Sequence, residues 1–520
     1  MNKKRLPKST YPNRYEIELD VDLDNFSYTG AQKVDLNVVE ATNNIVLNSV
    51  GIEVTKAKIQ TTKQDIPLEV NYIEEDEKIV FESQETLSEG VYELYLEFNS
   101  EITNDLKGFY KSSYMSEDGE KKWIATTQFE PTAARSAFPC WDEPEYKAIF
   151  SMTIITDEKY LRVSNEMVVE EEKVENNKLR TKFADSMKMS SYLVAFVIGD
   201  LEATVVGKSK TTDIRIIHRP GFSHQTSYAG TAAIKLLDFF EDYYKIPYPG
   251  TKLDLIAIPD FAMGAMENVG AVTFRENLLL FDKDKATRSE LDRSITVIAH
   301  ELAHMWFGDL VTMKWWDGIW LNEAFASLME VIASYNTYPE FKQWNAMNMS
   351  RTAGFSIDSL ENSRPVEFDV ETPDQAEEMF DVLTYEKGST VLRMFQMFIG
   401  EEAFQNGVEA YLNKFKFENT NSSDLWDALS EASNQPLNKI LPFWIREKGY
   451  PFLQVDCSNN FLTIKQKPFL LKNVETDKNN IKPVPVQIKF LDTGNEEKFL
   501  LDEAERVIDL KNLGKVPHIN

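Results

Sequence analysis

The sequence predicts a multidomain α+β protein, on three observations. The chain has 520 residues, more than one hydrophobic core organises, so about three domains are expected. Apolar and polar residues alternate with period two through the first 200 residues, and again after Gly449. Between these stretches, from about 201 to 448, the spacing turns largely helical. The expected division is an N-terminal antiparallel β domain over 1–200, a helix-rich domain over 201–448 and a mostly β third domain over 449–520.

In the first segment, Tyr15, Ile17, Leu19, Val21 and Leu23 alternate with Glu16, Glu18, Asp20, Asp22 and Asp24. Tyr92, Leu94, Leu96 and Phe98 alternate with Glu93, Tyr95 and Glu97. Such runs are half-buried strands with one face in water. In the second segment, Ala233, Leu236, Leu237, Phe240 and Tyr244 recur at helical spacing, and Pro247 and Pro249 mark the exit. Thr287 and Glu290 form a capping box for a helix running into His300. Further helices are expected over 322–335, 373–399, 401–416 and 423–434. In the third segment, Val484, Val486, Ile488 and Phe490 alternate with Pro485, Gln487 and Lys489.

The bulk numbers exclude several function classes. Hydrophobic residues make up 42%, far from the disordered range. Net charge is −28, which argues against a nucleic-acid partner, because such binding needs a basic footprint. No run of about eighteen apolar residues occurs, so no membrane-spanning helix is expected. Met1 to Pro12 carries Lys3, Lys4 and Arg5 without an apolar stretch behind them, so it does not read as a signal peptide. Cys140 and Cys457, the two cysteines, lie far apart, which fits a reducing compartment, and Cys140 reads as a buried structural thiol. The expected location is the cytoplasm.

The chemistry centres on His300-Glu301-Leu302-Ala303-His304. Histidines four apart share one helix face, so both imidazoles reach one metal ion. Glu301 falls beside that ion, where a general base for a bound water belongs. Eighteen residues separate His304 from Glu323, which offers a third ligand. Two His and one Glu, with a fourth position open, is the layout of a hydrolytic zinc site with one Zn²⁺ per chain.

A His-Glu-x-x-His match alone is weak, but its context strengthens it. Only five His occur in the chain, and two are here. Ile295, Val297, Ile298 and Ala299 make the helix apolar, and Trp315, Trp316, Trp320 and Leu321 bury the segment around Glu323. A buried carboxylate is costly unless a cation meets it. His218, His224 and His518 read as ordinary polar or surface residues. Asp309 is a candidate acceptor for a ligand histidine's other ring nitrogen, with a plain turn residue as the equal alternative.

Gly264-Ala265-Met266-Glu267-Asn268 lies upstream, with 31 residues before His300. With the zinc motif it resembles the gluzincin aminopeptidases of the aminopeptidase N family. The resemblance covers nearly the whole chain. It includes Thr127-Gln128-Phe129-Glu130-Pro131, Ala137 to Pro144, Trp306-Phe307-Gly308-Asp309, Val311 to Trp316, Trp320-Leu321-Asn322-Glu323 and Tyr385-Glu386-Lys387-Gly388. The pattern looks closest to the archaeal tricorn-interacting-factor aminopeptidases.

The resemblance implies a thermolysin-like catalytic domain over 201–448 and a β-sandwich-like third domain. It implies a zinc aminopeptidase acting on peptides with free N-termini. Glu267 would bind the substrate's α-amine, with Glu130 as second anchor and Gln128 beside it. Gly264, Ala265, Met266 and Asn268 would add backbone contacts along the substrate as an extra strand. Met263 and Met266 would line the first side-chain pocket, and Tyr385 would donate to the oxyanion. Val269 stands where relatives often have Trp, and Ala133 where many have Asp. Complete members continue into a Gly-Phe-Tyr-Arg-type strand and a large helical domain. The chain ends at Asn520 before either, so a truncated form with an unfinished third sheet is expected. A binding-only homologue, an epoxide hydrolase on the same fold and an endopeptidase are the rival readings. The full set of site residues disfavours the first, and the two amine-anchoring acids the last. The oligomeric state is open.

Overall fold

A computed structural model of the chain describes residues 5–61, 64–471, 481–511, 513–514 and 517–519. The chain forms two compact units. The first holds Met1–Trp316 with Glu371–Glu377 and Phe415–Asn419. The second holds Asp317–Val370, Glu378–Lys414 and Thr420–Asn520.

The alternation near the N-terminus builds the first unit's largest sheet, of ten strands. Strand Thr10–Asp22 buries Tyr15, Ile17, Leu19 and Val21 to 1% exposure or less. It pairs antiparallel with Ser27–Val38, which pairs in turn with Gly90–Glu101. On its other side Ile149–Asp157 runs parallel to it, the one departure from the expected antiparallel order in this neighbourhood. A four-stranded sheet follows, ordered Leu161–Ser164, Phe196–Gly199, Lys121–Gln128, Gly108–Met115. Gln128 ends one of its inner strands, which delivers the chain to Glu130 and a cis Glu130–Pro131 bond.

The helical expectation from residue 201 needs correction. Residues 202–275 carry a five-stranded mixed sheet, ordered Glu202–Ser209, Thr212–His218, Lys252–Ile258, Ala271–Arg275, Ala265–Met266. Its central strand Lys252–Ile258 is buried along its whole length, so it shows no alternation to read. The helix Ser227–Tyr244 crosses between two of its strands, with Ala233, Leu236, Leu237, Phe240 and Tyr244 all buried. His218 lies in this core, 0% exposed, bonded to Thr204 Oγ1 and the Arg219 carbonyl, so it is an ordinary core polar residue and not a surface one. Cys140 is buried, as expected.

In the second unit the helix Trp320–Thr337 spans the expected 322–335. Helices Glu401–Phe415 and Ser422–Ser433 match their expected ranges closely. The single helix expected over 373–399 is broken, and its last part lies in this unit as Gly388–Ile399 behind a π-helical turn at Leu383–Lys387. The Asp381 carboxylate explains the restart. It accepts from the backbone N–H groups of Leu383 and Thr384 and from Arg364, so it acts as a new cap. A helix at Gln343–Asp358 has no counterpart in the expectation. After Gly449 two three-stranded sheets follow, one of Tyr450–Ser458, Phe461–Phe469 and Glu505–Asp509, the other of Glu496–Leu501, Val484–Phe490 and Pro517–Ile519. No helix among the described residues is long and apolar enough to cross a membrane.

Candidate active site

The first unit presents the histidines on the helix Arg288–His304, capped by Thr287 and Glu290 as the sequence predicts. Ile295, Ile298, Ala299 and Leu302 bury one side of it and fix its rotation. His300 is half-buried, while Glu301 and His304 are buried. The two Nε2 atoms lie 3.1 Å apart. Two nitrogens bound to one ion at about 2.0–2.1 Å in near-tetrahedral geometry stand about 3.3 Å apart, so the pair is already at ligand spacing. The Nδ1 of His304 sits 2.9 Å from the Phe307 carbonyl, which can only accept. That ring therefore carries its proton on Nδ1 and turns the Nε2 lone pair outward. The residues present thus fit a metal ion.

Asp309 does not take the acceptor role for His304, because a backbone carbonyl fills it. Asp309 is fully buried, and neither carboxylate oxygen has a hydrogen-bond partner among the described residues. Burial, then the Glu267 charge, push its carboxyl well above the usual range. The Lys147 ammonium donates to the backbone carbonyls of Asp309 and Leu310, and burial lowers its pKa to about 7. Tyr192 donates to the Gly308 carbonyl. Together these tie down the loop that leaves the histidine helix.

Beside the histidines stand two carboxylates. Glu130 and Glu267 are 9% and 3% exposed, and an oxygen of one lies within 4.8 Å of an oxygen of the other. Glu267 Oε1 is 3.8 Å from His304 Nδ1. Gln128 is buried beside them, its Nε2 3.3 Å from the Met266 sulfur. Ala265–Met266 forms a short strand at the edge of the five-stranded sheet, paired with Thr273 and Phe274. Gly264 accepts from Arg275 N–H at 2.9 Å, and Asn268 accepts from Ala271 N–H at 2.9 Å, so both ends of the segment are pinned. The Asn268 side chain is buried against Thr273. Met266 is buried, but Met263 is 52% exposed.

The second unit carries Glu323 and Tyr385. Glu323 lies in the first turn of the helix Trp320–Thr337 and is 2% exposed. Trp320, three residues earlier, donates to Glu367 and Ser422 and so anchors that helix end. Tyr385 is half-buried within the π-helical turn. A π turn widens the helix locally and recurs at functional sites. Around it, Arg364 bonds Thr384 and Asp381, and the buried Lys387 pairs with Asp358 at 2.9 Å. Gly388 packs so closely on the helix of Glu323 that an added Cβ would meet Ala324 Cβ at 2.6 Å. The sequence gives no local signal for Lys147, Arg364 or Asp381, because their partners are distant residues or backbone groups.

Residues 11–193 match the "Peptidase M1 N-terminal domain" and residues 228–444 the "Peptidase family M1 domain". Over 517 residues the chain is 40% identical to Aminopeptidase M1 of Arabidopsis thaliana, covering 98% of this chain and 58% of that protein. It is 37% identical to the Puromycin-sensitive aminopeptidase of Caenorhabditis elegans, covering 98% and 55%. It is 36% identical to the Alanine/arginine aminopeptidase of Saccharomyces cerevisiae, covering 98% and 60%. The chain thus spans somewhat more than half the length of these relatives. Residues 11–193 and 228–444 thus match, in chain order, two domains of peptidase family M1.

Proposed function

We propose that the chain is a zinc-dependent aminopeptidase that removes single residues from peptides with a free α-amine. One observation carries this reading: two buried carboxylates within 4.8 Å of each other, beside a histidine pair at ligand spacing. Two buried acids this close repel each other, and a cation between them offsets that repulsion. The α-ammonium of a peptide is such a cation. Held by Glu130 and Glu267, it sets the distance from the chain end to the scissile carbonyl and excludes blocked or internal segments. The aminopeptidase names of the relatives support the same class.

His300, His304 and Glu323 would hold the zinc ion. When bound, zinc supplies a Lewis acid and brings a water's pKa near neutrality. Glu301 takes the proton of the attacking water and passes it to the leaving amine. Tyr385 donates a hydrogen bond from its hydroxyl to the oxyanion that develops on the carbonyl oxygen. The edge strand Ala265–Met266 offers unpaired backbone groups along which a substrate's extended N-terminal residues can lie. Gly264 and Asn268 hold that strand in place.

A panel of aminoacyl fluorogenic amides with N-acetylated controls tests the proposal. Release should occur from free aminoacyl amides only, stop on chelation and return with zinc. Equal release from acetylated substrates would remove the amine requirement, and chelator-insensitive release would remove the metal.

A further inference from the structure

Asn165 follows the strand Leu161–Ser164 and is 3% exposed. Its side chain makes three bonds to three separate backbone groups. Nδ2 donates to the Leu193 carbonyl at 2.8 Å and to the Val269 carbonyl at 2.9 Å. Oδ1 accepts from Ala195 N–H at 2.9 Å. The amide's two donors and one of its acceptor sites are thereby used.

One partner lies in the segment that carries Glu267, and the other two lead into a strand that neighbours the one before Glu130. Val269 lies two residues beyond Glu267. Leu193 and Ala195 lead into the strand Phe196–Gly199, which pairs with Lys121–Gln128, the strand that ends two residues before Glu130. Phe196 N–H also donates to Thr127 Oγ1 at 3.3 Å. A second tie runs alongside: the Lys252 ammonium donates to the carbonyls of both Ser164 and Gly270. Gly270 has φ +72°, and a Cβ there would lie 2.1 Å from the Asn165 carbonyl oxygen. The Asn165 backbone and the segment that follows Glu267 thus touch at backbone distance.

We infer that Asn165 is a positioning residue that sets the gap between Glu130 and Glu267, and so the fit of the substrate's α-ammonium. The inference rests on the amine-anchoring reading above. A carboxylate pair reads ammonium against no ammonium only if both oxygens reach it, and a shift of about 1 Å defeats such a clamp. Asn165 touches neither acid. It acts through the Val269 and Ala195 backbones.

The test uses leucine hydroxamate and its des-amino analogue, 4-methylpentanohydroxamic acid, titrated into the zinc-loaded protein by calorimetry. The ratio of their affinities reports the amine alone, because both bring the same hydroxamate to the metal. Asn165→Ser, too short to reach Val269, should cut that ratio at least tenfold and leave affinity for the des-amino probe within about twofold. Asn165→Asp, which keeps the volume and the Ala195 bond but loses both donors, should do the same and serves if Asn165→Ser does not fold. General loosening weakens both probes alike and leaves the ratio at its wild-type value, which overturns the inference. Glu267→Gln separates the two levels. If it abolishes the amine preference while the Asn165 variants keep it, the clamp stands and the role of Asn165 falls. If Glu267→Gln also keeps the preference, the amine reading has failed, and the inference with it.

Discussion

Glu301 stands one residue beyond His300 on a rigid, capped helix and is 5% exposed, so its carboxylate has little freedom to move. Glu301→Gln keeps shape and volume but removes the carboxylate proposed as the base. The variant should bind zinc at the wild-type ratio and lose about 10²–10⁴ in kcat, the usual size of a general-base contribution. Metal analysis beside steady-state rates reads both, and near-normal turnover with zinc bound would sink the assignment. This part of the site is legible in sequence because a helix makes spacing into geometry: His300, Glu301 and His304 need only the 3.6-residue period. Glu130 and Glu267 are different. They meet only after two sheets fold, and nothing local marks either as more than a loop acid, so the family resemblance alone singled them out. Asp309 illustrates the converse. Its sequence position suggested an acceptor for a ligand histidine, but the Phe307 carbonyl takes that place, and carbonyls leave no trace in residue type.

At the scale of elements, Gly388 joins the turn of Tyr385 to the helix of Glu323. Gly388→Ala places a Cβ 2.6 Å from Ala324 Cβ, and both lie on backbone that cannot rotate away. Overpacking of this kind costs about 1–3 kcal/mol. The variant should melt lower than wild type, and the compensating double variant with Ala324→Gly should recover most of the loss; an unchanged melting temperature would show that the helices are not in contact there. Lys482 gives a second test. Burial, then the Lys387 charge, lower its pKa to about 8, although it donates to the Phe443 carbonyl at 2.7 Å. In the unfolded chain it titrates near its ordinary 10.5. Between these values the unfolded state binds more protons, so stability rises with pH there. Wild type should therefore gain up to about 3 kcal/mol over Lys482→Met between pH 8 and 10.5, from about 1.4 kcal/mol per unit. Urea unfolding at pH 7.5 and 10 measures it, and parallel pH profiles would contradict it. Neither device was legible beforehand. Strands with one wet face announced themselves through alternation, whereas the buried strand Lys252–Ile258 and the restart at Asp381 depend on what covers them.

Over the whole molecule, charge acts where no single contact does. The net charge of −28 is a sequence-level fact, and with two of its acids drawn together at Glu130 and Glu267 it gives an incoming cationic peptide a favourable field. The order of β-rich, helix-rich and again β-rich segments was also readable at this scale, because it needs only the dominant period of long stretches. What the total charge does not specify is where the field is strongest, since that depends on which acids the fold gathers. Salt separates the global field from the local clamp. The Debye length falls from about 10 Å at 0.1 M to about 3 Å at 1 M, so long-range attraction is screened while a desolvated ammonium held between two carboxylates is not. Peptides with lysine or arginine beyond the first residue should lose several-fold in kcat/KM between about 20 and 500 mM salt, through KM. Neutral peptides of the same length should change by less than about twofold, because their only cation is the α-ammonium held at short range. A matched pair of peptides differing only in a distal Lys-to-Gln exchange measures this directly. Equal salt slopes for the two would mean that the acidic surface does not reach the substrate, and that the paired glutamates act on the terminal amine alone.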